Sequence, residues 1–260
     1  MTEALRKLDR AKEHLKLLKF AIERWEKLPG YSIHQELQDD QLTYVVWANR
    51  RRPLPDLAPL IGDCAHNIRS TLDHLVWQLG ERHSGIPLPD DIAWWSEFPV
   101  AERESQFTAW RAKKIRGVSP GAQAVIEELQ PYKCPDGHTF SPLWRVHELD
   151  RIDKHRTLHV TALAIGSLVI PPQKDITITN VSMGGFGVVL EDEALVAMTY
   201  EGQKRQSGPA MKMNFKVTVD VVLDSPGPLD RLVVVDVLTD AIQWIEETLI
   251  PPLSYFLPIH

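Results

Sequence analysis

Polar residues able to bind a ligand or move a proton recur on one side of segment 56–80. This segment has helical periodicity, and at about 100° per residue its polar positions fall within one arc of about 160°. They are Asp63, His66, Asn67, Arg69, Ser70, Asp73 and His74. A solvated helix face is usually built from Lys and Glu, whereas these residue types make directional hydrogen bonds. The arc therefore favours a site or a buried polar network over a plain solvent face.

A second polar stripe is expected on the helix predicted at 143–158. His147, Arg151, His155 and, if the helix continues, His159 recur every four residues. The same segment carries further charges, which would need partners inside the protein because an isolated buried charge is very costly. These are Asp150, Asp153, Lys154 and Arg156. We expect the two helices to pack with their polar stripes facing each other, either as a site or as a structural salt-bridge network.

Arg69 and His74 fit the pattern Arg-x4-His on a predicted helix. In this pattern the chain resembles the HEPN superfamily, helical bundles in which an Arg and a His spaced by four to six residues form a metal-independent ribonuclease site. The resemblance covers at most residues 1–160. It implies that His74 activates the ribose 2′-hydroxyl or protonates the leaving oxygen, while Arg69 holds the phosphate.

The same resemblance implies partners and a biological role. HEPN proteins commonly dimerise, so a homodimer is expected, with RNA as the ligand. A toxin or defence factor is the implied role, with an antitoxin or another protein as a partner. The β-rich part of the chain lies outside the usual HEPN bundle.

Two segments are also similar to signatures of uncharacterised bacterial proteins of comparable size: residues 66–75 (HNIRSTLDHL) and 149–156 (LDRIDKHR). This similarity implies no activity. It implies only that residues 153–156 act together with the helix that carries His66 and His74. The candidate catalytic residues are Arg69, His74 and His155. The candidate binding residues are His66, Asn67, Ser70, Asp73, His147, Arg151, Lys154 and Arg156.

A metal site is the main rival within enzyme chemistry. Its candidate ligands are His66, Asp73, His74, His147, Glu148, His155 and His159. However, Arg69 and Arg151 interrupt the two stripes and would repel a cation. Cys64 and His66 point about 160° apart on an ideal helix and do not converge on a zinc ion. We therefore expect neither a metal nor another cofactor.

Two alternatives to the HEPN-like hypothesis stay open. One is a non-enzymatic protein whose polar helices form a structural core and whose C-terminal sheet binds a partner. The other is a metal-dependent helical-bundle enzyme.

The elements that must position these residues indicate an α+β fold. Helical periodicity is found at 3–28, 56–80, 101–114, 119–130, 143–158 and 230–249, and strand patterns at 31–37, 42–48 and between 158 and 223. We predict an N-terminal helical bundle over 1–160 with a β-hairpin at about 31–48. A small antiparallel sheet and a C-terminal helix follow over 161–260, either as a second domain or as part of one continuous domain.

Composition excludes several function classes. The chain has 29 Lys and Arg against 35 Asp and Glu, a net charge of −6, which argues against a general basic nucleic-acid surface. Two cysteines exclude a disulfide framework. There is no apolar run of roughly 18 residues and no signal-peptide pattern, so a cytoplasmic protein without membrane contact is expected.

Three further features bear on an RNA ligand. Trp94 and Trp95 form an adjacent pair that acts either as a loop anchor or as a base-stacking platform. The basic runs at 50–52 and 113–116 are ordinarily solvated charges. If the RNA hypothesis holds, they are the first candidates for phosphate contacts.

Overall fold

The chain folds into two compact units that draw on separate stretches of sequence. The computed structural model describes residues 3–27, 31–37, 43–50, 54–169, 176–183, 194–202, 214–224 and 226–257. The helical unit comprises Met1–Phe20, Leu57–His159 and Leu223–His260. The sheet unit comprises Ala21–Asp56 and Val160–Val222.

Helices of very different length build the helical unit. Those described are α1 (Glu3–Glu26, whose last residues belong to the sheet unit), α2 (Ala58–Ser84), α3 (Asp90–Ala93), α4 (Glu104–Lys114), α5 (Pro120–Glu128), α6 (Pro142–His155), α7 (Val234–Trp244) and α8 (Ile250–Ser254). Short 3-10 turns lie at Pro131–Lys133 and His138–Phe140, and a π-helical turn at Ile245–Leu249 joins α7 to α8. No helix in the described ranges is long and apolar enough to cross a membrane.

The core of this unit forms where α2, α6 and α7 pack together. The apolar side of α2 lies inside, with side chains spaced by three, four and seven residues. Those buried on α2 include Ile61, Cys64, Ile68, Leu72, Leu75 and Leu79. Because this side is packed against the neighbouring helices, the polar arc of α2 faces elsewhere. It contacts α6 through His66 and the loop after α3 through Arg69.

The sheet unit contains a four-stranded and a two-stranded sheet. Its strands are β1 (Tyr31–Leu37), β2 (Thr43–Arg50), β3 (Val160–Val169), β4 (Ile176–Met183), β5 (Ala194–Gly202) and β6 (Asn214–Leu223). The larger sheet has the order β1-β2-β5-β4 with antiparallel neighbours, and β3 pairs with β6. The β1–β2 hairpin pairs Tyr31 with Arg50 and Leu37 with Tyr44.

The predicted α+β fold is confirmed, with a helical bundle, a hairpin, a small antiparallel sheet and a C-terminal helix. The sequence predicted one part before residue 160 and one after it. One border between the units does lie between His159 and Val160, but each unit also includes residues from the other side of this border. The hairpin belongs to the sheet unit because β2 pairs with β5. The C-terminal helices belong to the helical unit because α7 packs on α2 and α6.

Two predicted helix ends are wrong. The helix of segment 56–80 continues to Ser84 and ends at Gly85, whose φ of 106° suits glycine. Gly80 instead serves packing, since a Cβ there would lie 3.2 Å from the Leu88 side chain. The helix of segment 143–158 ends at His155 because Arg156 is extended, so His159 does not continue the stripe.

Candidate functional site

The polar faces of α2 and α6 meet at a buried carboxylate. His66 Nδ1 lies 3.3 Å from Asp150 Oδ1, and Lys154 Nζ donates to Asp150 Oδ2 at 2.7 Å. The Asp150 side chain is only 5% exposed, whereas those of His66 and Lys154 are 57% and 44% exposed. We call these three residues the Asp150 cluster. The α2 arc therefore meets α6 at Asp150, and at His147 near Arg69, whereas Arg151 and His155 of the predicted stripe are exposed.

One turn away, the two helices approach closely at Gly62. A Cβ at this position would overlap the carboxylate of Asp153, so the glycine leaves room for this side chain to lie against the backbone of α2. Burial raises the pKa of Asp153, and the neighbouring carboxylates of Asp150 and Asp63 raise it further. The contact thus brings several acidic groups together beside His66.

A second cluster surrounds Arg69, whose side chain is 4% exposed. Its Nη1 lies 2.8 Å from Asp73 Oδ1, one turn along α2, as an ion pair that lacks a favourable hydrogen-bond angle. Its Nη2 donates to Glu97 Oε1 and to the backbone oxygen of Phe98, both at 2.8 Å. The Phe98 N–H donates to Asp73 Oδ1 at 2.9 Å, and Lys114 Nζ lies 2.9 Å from Glu97 Oε2. We call these residues the Arg69 network.

The two carboxylates of the Arg69 network differ in their affinity for a proton. Burial raises the pKa of Asp73, and the charge of Arg69 and the Phe98 N–H only partly oppose this effect. Burial also acts to raise the pKa of Glu97, but Lys114 and Arg69 together outweigh it and leave the pKa lowered. Asp73 is therefore the carboxylate of the pair that takes up a proton more readily.

An open cleft of about 330 Å³ lies beside this network. Its lining residues are Ser70, Asp73, His74, Trp77 and Ser96. The first four come from one face of α2, while Ser96 comes from the loop after α3. Arg69 is not among the lining residues, so the fold separates the two members of the Arg-x4-His pattern: the guanidinium is internal and the imidazole of His74 lines the cleft.

His147 on α6 is half-buried close to the Arg69 network. Burial lowers its pKa to about 4, and the positive charge of Arg69 adds to the effect. Its buried Nδ1 has no hydrogen-bond partner within the described part of the chain. His147 is therefore neutral at pH 7, which is consistent with a packed position beside a guanidinium.

Other candidate residues take positions outside the cleft lining. Asn67 donates from Nδ2 to the backbone oxygen of Asp63 at 2.7 Å, a bond within α2. Arg151 is exposed and forms a two-pronged pair with Glu148 on its own helix, which lowers the Glu148 pKa. His155 and Arg156 are exposed at the end of α6, where the Arg156 N–H donates to Ile152 O. Neither lines the cleft.

Ser96, Glu97 and Phe98 belong to the site region but were not predicted from the sequence, and Lys114 was predicted only as part of a basic run and not as a partner of Glu97. They come from the loop after α3 and from the end of α4, 23 or more positions from Asp73 along the chain. No local periodicity joins them to α2, because their contacts arise from tertiary packing. The only sequence signal is the basic run at 113–116, which contains Lys114.

Within the described ranges, no group of three or more His, Cys, Asp or Glu side chains is arranged to hold a metal ion. No protein-family model, curated protein or solved structure matches the chain. The function is therefore argued from the geometry and chemistry of the site.

Proposed function

We propose that the chain is a HEPN-like RNA-binding protein that cleaves RNA without a metal ion, with the cleft beside His74 as the reaction site. The supporting observation is that His74 and Asp73, two groups that can exchange protons, line the same open cleft. The same cleft is also lined by the aromatic ring of Trp77 and by the hydroxyls of Ser70 and Ser96. This combination suits one nucleotide of a single strand.

The chemistry requires one proton to be removed and one to be supplied. As the ribose 2′-oxygen attacks phosphorus, its proton passes to a base, and the 5′-oxygen of the next nucleotide leaves with a proton from an acid. The products are a 2′,3′-cyclic phosphate and a free 5′-hydroxyl. The His74 imidazole can both accept and donate a proton, and burial moves Asp73 toward the same role by raising its pKa.

Arg69 contributes differently from the role that the resemblance implies. Its guanidinium is bound to two carboxylates and to a backbone carbonyl, so it acts here as a positioning residue that fixes Asp73 and the loop at Phe98. Lys154 is an exposed cation close enough to Asp73 to lower its pKa. Lys154 also donates to Asp150 at 2.7 Å, so it is our candidate for contact with the phosphate only where a bound strand competes for this ion pair.

A cleavage assay tests the proposal directly. End-labelled single-stranded RNA is incubated with the full chain in EDTA, and the products are examined for 2′,3′-cyclic phosphate ends. We expect cleavage by the wild type and a loss of at least about 100-fold in His74→Ala, the usual contribution of general acid–base catalysis. His83→Ala is the matched control, since His83 lies exposed on the same helix and outside the cleft lining.

Two outcomes of this assay would contradict the proposal. One is cleavage that persists unchanged in His74→Ala, which would identify a contaminating nuclease or another site. The other is the absence of both RNA cleavage and RNA binding by the wild type. The resemblance also implies a homodimer, which light scattering of the purified chain measures independently of activity.

A second candidate function is favoured by the charge balance of the Arg69 network. Its two cations and two carboxylates neutralise one another inside the protein, as expected for a structural core. In this alternative the chain is a non-enzymatic protein that binds a partner. No RNA would then be bound or cleaved, whereas Arg69 variants lower the stability under either proposal.

A further inference from the structure

Trp94 and Trp95, directly before the cleft residue Ser96, are exposed. Trp94 is 82% exposed and Trp95 is 46% exposed. A loop anchor would bury these rings, because leaving large apolar surface in water is unfavourable. The exposed rings therefore support the second interpretation of this pair, a surface that stacks against a ligand.

A lysine accompanies the two rings. Lys113 Nζ lies 3.5 Å from the centroid of the Trp95 ring, and no carboxylate of the described residues pairs with it. Its neighbours differ, since Lys114 pairs with Glu97 and Arg116 pairs with Asp91. An available ammonium beside exposed aromatic rings is typical of surfaces that bind single-stranded nucleic acid.

Trp94 and Trp95 lie close to the cleft because they directly precede Ser96, which lines it. Trp94 is two residues from Ser96, so their Cα atoms are at most about 7 Å apart. Bases of one strand rise by about 3.4 Å when stacked and lie further apart when the strand is extended. A nucleotide next to the one in the cleft is thus within reach of the Trp94 ring.

We propose that Trp94, Trp95 and Lys113 form a second RNA contact, in which a base neighbouring the cleft nucleotide stacks on Trp94 and a phosphate lies beside Lys113. The inference rests on the proposed function and extends the contact with the single strand from one nucleotide to at least two neighbouring nucleotides. A duplex keeps its bases paired and stacked, so it does not offer the ring faces that this surface needs. Asp90 lies one helical turn before Trp94, whose N–H donates to the Asp90 backbone oxygen, and its exposed negative charge would oppose a phosphate bound here.

Fluorescence anisotropy with a labelled 12-nucleotide oligouridylate tests the inference, using the full chain in EDTA at several salt concentrations. Trp94→Ala should weaken Kd by roughly fivefold to a hundredfold, the range for one stacked base. Lys113→Met should reduce the slope of log K against log salt by about 0.7, as expected for one lost phosphate contact on a single strand. Asp90→Asn should tighten binding.

Controls come from two other ring–cation pairs of the helical unit, one with an exposed ring and one in which the lysine also pairs with Glu128. Phe140 is 57% exposed with Arg145 beside its ring, and Lys133 lies over Tyr132. Phe140→Ala and Lys133→Met should bind the RNA as the wild type does. Trp94→Phe keeps an aromatic face and should recover most of the affinity, which separates lost stacking from a disturbed fold.

The outcomes separate this inference from the proposed function. If the wild type binds and cleaves RNA while Trp94→Ala and Lys113→Met bind with unchanged affinity and salt slope, the second contact is overturned and the cleft proposal stands. If the wild type binds no RNA, both are overturned. Equal losses in the Phe140→Ala control would also overturn the inference, because the effect would then not be specific to this surface.

Discussion

The Arg69 network and the Asp150 cluster place opposite charges inside the same helical unit. In the first, a cation is buried and its carboxylate partners are partly exposed; in the second, a carboxylate is buried and its partners, a histidine and a lysine, are partly exposed. Each buried charge has two ionisable partners, as expected from the cost of an isolated charge away from water. The two clusters therefore satisfy the same electrostatic requirement with opposite signs.

The clusters differ in what they connect. Asp150 joins its own helix α6 to α2. Arg69 joins α2 to the loop after α3 through Glu97 and Phe98, and Lys114 of α4 continues the network. Arg69 also binds a backbone carbonyl that would otherwise be buried without a partner. The comparison indicates that the Arg69 network shapes the loop beside the cleft, while the Asp150 cluster fastens two helices together.

The largest effect is expected from removing the buried cation. Arg69→Met should lower the free energy of unfolding by about 3–5 kcal/mol, because Asp73, Glu97 and the Phe98 carbonyl lose their shared partner. Arg151→Met is the control, since Arg151 is exposed and paired within one helix turn; its loss should cost about 1 kcal/mol or less. Urea unfolding at pH 7 measures both. Equal losses of unfolding free energy in Arg69→Met and Arg151→Met would contradict the distinction between a buried and a surface arginine.

The next effect depends on pH and on His147. Its pKa of about 4 in the folded chain lies below the ordinary value of 6.5, so the unfolded chain binds more protons between these values. Stability should therefore fall as the pH drops from 6.5 to 4, by about 2–3 kcal/mol in total. His147→Gln cannot gain this charge and should show a correspondingly flatter profile. Urea unfolding across this pH range tests the difference, and parallel profiles would show that His147 is not buried beside Arg69.

A smaller effect is expected at the Asp150 cluster. Asp150→Asn keeps a hydrogen-bond acceptor and leaves behind His66 and Lys154, which are exposed enough for water to solvate them, so the cost should be about 1–2 kcal/mol. Lys154→Met leaves the buried Asp150 carboxylate with His66 as its remaining partner, so it should cost at least as much as Asp150→Asn. Thermal melts of both variants beside the wild type provide the measurement. A loss in Asp150→Asn as large as that in Arg69→Met would remove the contrast between the two clusters.

Local sequence patterns predicted the helices and strands and the side of the cleft that α2 forms. The polar arc of α2 follows from helical geometry alone, and four of the five cleft residues lie on that helix. The stripe of α6 was predicted in the same way, and the need of Asp150 for partners follows from the cost of burying its charge. The pairing of β2 with β5, in contrast, joins segments about 150 residues apart, which periodicity does not report.

The partners of Arg69 show where local patterns stop being informative. Glu97 and Phe98 follow a Pro-rich loop, and nothing in their spacing indicates that they bind a residue 28 positions earlier. The same absence of tertiary information made Arg69 and His74 look like one functional pair. Burial separates them, because a side chain's neighbours depend on which loop covers its part of the helix.

The separation of Arg69 from His74 is the central claim, and comparing their variants in one experiment tests it most directly. The free energy of unfolding is measured in urea for Arg69→Met and His74→Ala at pH 7. We predict a loss of about 3–5 kcal/mol for the former and of about 1 kcal/mol or less for the latter, since His74 lines an open cleft. An equally large loss in His74→Ala would contradict the account, because His74 would then belong to the buried network.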